Sequence, residues 1–336
     1  MAGGHSLNNR RINLGIIGLG RISSEWIGAA KSSEKFDILC GCDADSSKRN
    51  LYPNLTFYNN TDKMLEAEGQ LDAIIVSTSS SNHYETGLKV IKSGNNLVME
   101  KPSAFSIEDF DNLRRLSAEH STLFYNAFHF MFAKELIWFL QHKDELSDYL
   151  GDPSGFSSMF NDPYALNGKV AIEYRSLSGS WVDSGINALS VLHRIFEENH
   201  CLYAIMGHGE SGRESDTVSE VLLRSQNDKG KTIFGSIFTS WTSGTNIKVT
   251  NIFYPDGVVQ LNHTKQSVEI FRPNCKSEVK FIADTPGRLS NHYAGLVLDL
   301  YNNLVGNTDN AGMALKIYSE LFNAFDMMPG ESIARK

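Results

Sequence analysis

The chain has little cysteine, no long apolar run and no block of like charge. Four cysteines in 336 residues, at 40, 42, 201 and 275, are too few and too scattered for a disulfide framework. Cys40-Gly41-Cys42 sits inside an apparent strand, where both side chains point to one face. A zinc site there would need two more ligands nearby, so reduced thiols packed as small hydrophobes are expected and no metal is assigned. No segment offers the roughly 20 consecutive apolar residues that a membrane helix requires. The first residues, Met1 to Asn9, carry no apolar signal core, and it is the expected reduced thiols that point to the cytoplasm. Basic residues (31) are outnumbered by acidic ones (39), and the resulting net charge of −8 argues against nucleic acid or an acidic membrane as partner.

What is present is an alternation of strand and helix patterns through the first third. Strands are expected at Ile12–Ile17, Phe36–Cys42, Leu55–Tyr58, Leu71–Ser77, Asn96–Met99 and Thr122–Phe128. Helices are expected at 21–32, from Thr61, at 82–93 and after the capping pattern Ser106-Ile107-Glu108-Asp109. Six strands alternating with helices imply a doubly wound parallel sheet. The rhythm changes beyond about residue 150. Thr217–Ser225 and Lys231–Trp241 form one hairpin pattern, and Ile247–Phe253 and Val258–Asn262 flank the turn Tyr254-Pro255-Asp256-Gly257. Helical patterns lie near 185–197, 290–305 and 310–326. The expected organisation is α/β: a dinucleotide-binding Rossmann domain over 1–128, then an α+β domain with a mostly antiparallel open sheet over 129–336.

Between the first strand and first helix stands Gly18-Leu19-Gly20-Arg21-Ile22-Ser23, a G-x-G-x-x-G pattern with serine in the third place. Gly18 permits the tight turn, and Gly20 lets a pyrophosphate approach the backbone at the helix N-terminus. Asp43 ends the next strand, 23 residues after Gly20. A carboxylate there accepts from ribose hydroxyls and repels a 2′-phosphate, which favours NAD, although Lys48 and Arg49 keep NADP possible. Lys101 follows the fifth strand at the carboxyl edge, where such sheets bind ligands, and Pro102 restricts its backbone. A lysine there can exchange a proton with a substrate hydroxyl, or can simply be a solvated strand end. Asp183 and Asn187, four apart at the start of a helix, can share one face or serve as its cap.

The set Gly18-Leu19-Gly20-Arg21-Ile22, Asp43, Ser77-Thr78-Ser79-Ser80-Ser81-Asn82-His83 and Glu100-Lys101-Pro102 resembles the glucose–fructose oxidoreductase / inositol dehydrogenase / rhizopine-catabolism (Gfo/Idh/MocA) family. The resemblance implies a nicotinamide dinucleotide held by Gly18, Gly20, Arg21, Ile22, Asp43, Ser77, Thr78, His83, Glu100 and Lys101. It puts Lys101, Asp183 and Asn187 in the catalytic group. Asn187 stands where the family often has histidine, and an amide cannot take a proton near neutral pH. The segment Asp183-Ser184-Gly185-Ile186-Asn187-Ala188-Leu189 is similar to the branch that oxidises aldoses at C1. That branch would place His129 and the stretch 161–167, with Asn167, near the substrate; here the stretch was expected to offer amides where the branch has an acid and a histidine. Tyr164 and Tyr174 could stack on a sugar. The implied function is hydride transfer between NAD(P) and a sugar or polyol, with a homodimer or homotetramer formed through the open face of the second sheet. The same residues also fit an NAD-dependent glycosidase that recycles its cofactor, or a non-catalytic dinucleotide sensor.

Overall fold

The computed structural model describes residues 11–69, 71–167, 169–208, 215–285 and 287–329. The chain forms two compact units, one of residues up to Phe128 together with Tyr293–Leu315, the other of His129–His292 and the residues from Lys316. Residues 293–315, assigned from sequence to the second domain, therefore belong with the first unit.

The first unit alternates β1 (Ile12–Ile17), α1 (Arg21–Ser33), β2 (Phe36–Cys42), β3 (Thr56–Tyr58), α2 (Thr61–Ala67), β4 (Ala73–Val76), α3 (His83–Lys92), β5 (Asn96–Glu100), α4 (Ile107–Glu119) and β6 (Phe124–Ala127). The strands pair in the order β3-β2-β1-β4-β5-β6, all parallel. Every residue of β4 is buried, as expected for a strand covered on both faces. The strand order reverses beside β1, so β1 and β4 open the crevice where this sheet type binds ligands. Ser106 caps α4 by accepting from the Asp109 N–H at 3.1 Å, the bond that its sequence predicted.

The second unit begins with α5 (Lys134–Leu150), β7 (Gly155–Asn161) and the short pair β8 (Ala165–Leu166) and β9 (Lys169–Val170). A wide π-helical turn, Trp181–Gly185, runs into α6 (Ile186–Ile195). Then come β10 (Glu198–His208), β11 (Asp216–Gln226), β12 (Thr232–Ser240), β13 (Ile247–Tyr254), β14 (Gly257–Asn262), β15 (Ser267–Phe271) and β16 (Glu278–Ile282). Helices α7 (Arg288–Gly306) and α8 (Ala311–Asp326) follow. The large sheet runs β10-β11-β12-β7-β13-β14-β15-β16 and is antiparallel except where β12 meets β7. Among the described residues no helix is long and apolar enough to cross a membrane.

The four cysteines are free thiols. Burial pushes the Cys40 thiol up to about 12, so it behaves as a small hydrophobe.

Candidate active site

One candidate cluster, within the first unit, is built on the carboxyl ends of β1, β2, β4 and β5. Gly18 has φ +93°, and a Cβ on it would come within 2.6 Å of the Ser77 carbonyl and the Thr78 nitrogen. No other residue type fits this crossing of β1 and β4. Ser77 locks it, donating from its hydroxyl to the Gly18 carbonyl at 2.8 Å. Gly20 precedes α1 in an extended conformation, and a Cβ there would meet nothing within 4 Å. No acidic side chain stands in the first turn of α1. That open, uncapped helix start suits a pyrophosphate. Ser23, in the third motif position, is buried and turns its hydroxyl back to the Gly20 carbonyl at 2.6 Å, so serine closes the turn from within. Arg21 is exposed and Ile22 half-buried in the same first turn.

Asp43 accepts from the Leu19 N–H at 2.7 Å with Oδ2 and from the Asp45 N–H at 2.9 Å with Oδ1. The carboxylate thus braces the glycine loop, and each oxygen keeps lone-pair capacity for a further donor. Nearby, Ser46, Arg49, Phe57, Tyr58 and Asn59 line a cavity of about 220 Å³. The Arg49 guanidinium lies over the Phe57 ring at 5.2 Å.

Lys101 follows β5, half-buried, and its peptide bond to Pro102 is cis. The residues around it are fixed from both sides. Glu100 is buried, and its Oε1 accepts from Trp26 Nε1 at 2.8 Å and from the Tyr293 hydroxyl at 2.5 Å. Burial pushes the Glu100 carboxyl up, against the pull of these two donors. His83 is also buried, with Nδ1 2.7 Å from the Pro102 carbonyl and Nε2 3.0 Å from the Thr78 carbonyl. Burial lowers its pKa while both carbonyls oppose that shift. Through these bonds Glu100 and His83 brace the backbone on either side of Lys101. Thr78 is half-buried, with a long 3.4 Å contact from its hydroxyl to the Ser79 carbonyl.

A separate buried polar cluster lies within the other unit. Asp183 lies in the π-helical turn and Asn187 in the first turn of α6, both buried. Asn187 Nδ2 donates to the Asp183 carbonyl at 3.1 Å, while its Oδ1 has no hydrogen-bond partner among the described residues. The turn is anchored by Asp216 of β11, whose Oδ2 accepts from Ser180 Oγ at 2.5 Å, Ser219 Oγ at 2.6 Å and the Trp181 N–H at 2.9 Å. Next to Asp183, Ser184 donates to Asp162 Oδ2 at 2.9 Å. Lys248 Nζ meets Asp162 Oδ1 at 2.6 Å, the Asn161 carbonyl at 3.2 Å and Asn246 Oδ1 at 2.9 Å. The Lys248 side chain is only 3% exposed. Burial lowers its pKa and Asp162 opposes that shift.

The stretch 161–167 supplies a buried acid, Asp162, and not only amides. Asn167 is exposed in the turn between β8 and β9 at φ +51°, a left-handed position that asparagine tolerates. Tyr164 and Tyr174 stack on each other, with centroids 3.9 Å apart, instead of presenting free faces. His129 is buried, with Nδ1 3.0 Å from Nδ1 of His292. Sequence reasoning missed Lys248, Arg288, His292 and the buried pair of His263 Nδ1 with Glu135 Oε1 at 2.6 Å. A signal for Lys248 existed: in the alternation of β13 it shares the inward face with Thr250, Ile252 and Tyr254.

Residues 12–128 match the family described as oxidoreductase family, NAD-binding Rossmann fold (Gfo/Idh/MocA). The chain is similar to the rhizopine catabolism protein MocA of Rhizobium meliloti, 30% identical over 101 residues, which are 30% of this chain and 32% of that protein. The chain thus spans about a third of the length of this curated relative. Among solved structures it is similar to KijD10, a 3-ketoreductase from Actinomadura kijaniata in complex with NADP and TDP-benzene. That likeness has TM-score 0.80 at 15% identity and covers 95% of this chain and 98% of the other. It is similar also to an oxidoreductase from Agrobacterium radiobacter in complex with NAD⁺, L-tartaric acid and magnesium, with TM-score 0.76, 15% identity and coverage of 94% and 96%. At such identities the likeness is one of fold.

Proposed function

We propose, from the match of residues 12–128 to the Gfo/Idh/MocA oxidoreductase family with its NAD-binding Rossmann fold, that the protein is an NAD(P)-dependent dehydrogenase of a sugar or sugar-like CH–OH group, acting in the cytoplasm. The observation that carries this reading is Lys101 at the carboxyl end of β5, held between a buried Glu100 and a Pro102 carbonyl braced by His83. Such bracing is more than a solvated strand-end cation needs. The two solved relatives support the reaction class: one is a 3-ketoreductase seen with NADP, the other was seen with NAD⁺ and a hydroxy acid.

When bound, the nicotinamide supplies the hydride acceptor or donor. The glycine loop and the start of α1 hold the pyrophosphate, and Asp43 takes the adenosine ribose. Lys101 exchanges the proton of the reacting hydroxyl, with Asp183 as the second proton-handling group. Asn187 gives a hydrogen bond and no proton. The Asp183-to-Leu189 segment favours C1 of an aldose as the reacting carbon.

The test is turnover and NAD affinity of Lys101→Ala beside wild type. NAD affinity should stay, because the loop at Gly18 and Gly20 binds through its backbone. Turnover should fall by about a hundredfold or more. Lys101→Arg should not restore it, since a guanidinium stays protonated. Near-normal turnover in Lys101→Ala would sink the assignment. Free NADH should accumulate with substrate; hydrolysis without it would mark the cofactor-recycling glycosidase instead.

A further inference from the structure

Arg288 opens α7, and its Nη1 is fully enclosed without a hydrogen-bond partner among the described residues. One turn further on the same helix face, His292 is buried, and its Nε2 is likewise enclosed and unpartnered. Its other nitrogen, Nδ1, is taken by His129 at 3.0 Å. Unpartnered buried polar atoms are uncommon and call for a cause. Two such atoms, four residues apart on one helix, have a simple common cause in a ligand.

The charges nearby say which ligand. Asp162 is paired with Lys248 at 2.6 Å; Glu135 Oε1 lies 2.6 Å from His263 Nδ1, while its Oε2 has no hydrogen-bond partner among the described residues. Lys248 has spent its three N–H groups on Asp162, Asn161 and Asn246. Arg288 interacts electrostatically with Asp162, Glu135, Lys248 and His292, yet among the described residues no acidic oxygen lies within ion-pair distance of it. Its guanidinium rests over the Phe130 ring, with Cζ 5.4 Å from the centroid. A neutral hydroxyl could accept one N–H but would leave the enclosed cation unmatched. Asp162 and Glu135 would repel a doubly charged phosphate more strongly than a singly charged group. A carboxylate carries one charge and fits the planar fork of a guanidinium.

We propose that Arg288 and His292 form an acid-binding corner, so that the sugar taken by this protein is a uronate, its carboxylate held by the Arg288 fork and by His292 Nε2–H. His129 then donates nothing to that atom but fixes the tautomer: with its own Nδ1–H given to His292 Nδ1, the proton of His292 must sit on Nε2. This substrate class rests on the carbohydrate dehydrogenase reading above.

The experiment compares matched probes on the full chain loaded with NADH. Galactose is set against galacturonate and glucose against glucuronate, by thermal shift and calorimetry. At least one acid should bind about tenfold or more tighter than its neutral counterpart, the scale of a charge-assisted hydrogen bond. Arg288→Met should erase that preference, and Arg288→Lys should keep only a small part of it. Arg288→Gln gives the same reading if the methionine variant folds poorly. NADH affinity should be unchanged in all three. The assignment falls if no acid outperforms its neutral partner, or if Arg288→Met and Arg288→Gln keep the preference. Lys101-dependent oxidation of neutral sugars without preference for acids would overturn the corner and leave the dehydrogenase standing. Acid binding through Arg288 with no hydride transfer to any probe would do the reverse.

Discussion

The placement of Lys101 was legible from local patterns, a strand, a parallel sheet and a carboxyl edge, whereas position alone left a proton-handling lysine and a solvated strand end equally open. What holds it was not legible. The Tyr293 hydroxyl reaches Glu100 across 193 positions, and no local pattern announces such a contact. His83 illustrates the same limit. Its place in a serine-rich segment invites a ligand role, yet both ring nitrogens face backbone carbonyls. Asp43 was read as a ribose acceptor, and the structure adds its bond to the Leu19 N–H. That double duty sharpens the expected effect of Asp43→Ser. NAD should bind more weakly through both loss of the acceptor and loosening of the loop. NADP should gain relative to NAD, because the repulsion is gone while Lys48 and Arg49 stay. Titration of both cofactors against variant and wild type checks this; a wild type that prefers NADP would hand the role to Arg49 and its cavity.

Elements divide by how cleanly their periodicity survives contact with function. The six strands of the first sheet are apolar runs, so they were read within a residue or two at most ends. β7 was missed. Its inward residues include Ser158, whose hydroxyl bonds Thr250 at 2.8 Å, so the apolar alternation is broken by the polar cluster it supports. α5 was missed too, and it carries Glu135 on its buried face. The turn bearing Asp183 was expected as the start of an ordinary helix and is a wider π-helical one, a form found often at functional positions. Gly179, at φ +101°, lets the chain enter that turn, and a Cβ on it would stand 2.2 Å from Asp216 Oδ1. Gly179→Ala must therefore push Asp216 away from Ser180 and Trp181 and strain the backbone as well. A loss of about 1–3 kcal/mol in stability is expected. Turnover should fall with it while NAD affinity holds, since the nucleotide loop belongs to the other unit. Denaturant melts and steady-state rates measure both; unchanged turnover would mean that the anchoring of this turn does not matter to Asp183.

For the whole molecule, a change of rhythm was visible beyond about residue 150, whereas the grouping of residues 293–315 with the first unit was not, because a helix pattern does not say which partner it packs on. The large sheet offers one more molecular-scale consequence. In β11 burial alternates cleanly, leaving Glu220, Leu222 and Arg224 outward. Across the ladders Leu222 faces Tyr203 and Ser236, Glu220 faces Ile205 and Phe238, and Arg224 faces Phe234. Ile205 and Phe234 are each 56% exposed, and Tyr203 and Leu222 are 42% exposed, so the outward face carries a contiguous apolar stripe. A sheet with one solvated face would be expected to show polar residues there. Glu220 and Arg224 flank Leu222, so a second copy turned by a twofold axis would set each glutamate against an arginine. The face is therefore expected to pair with itself, giving a dimer or a dimer of dimers. Light scattering at micromolar concentration should report more than one chain. Leu222→Asp with Phe234→Asp should yield a monomer that keeps its melting temperature to within a few degrees, because both side chains already point outward in the single chain. A wild type that scatters as a monomer would remove this surface as an assembly interface.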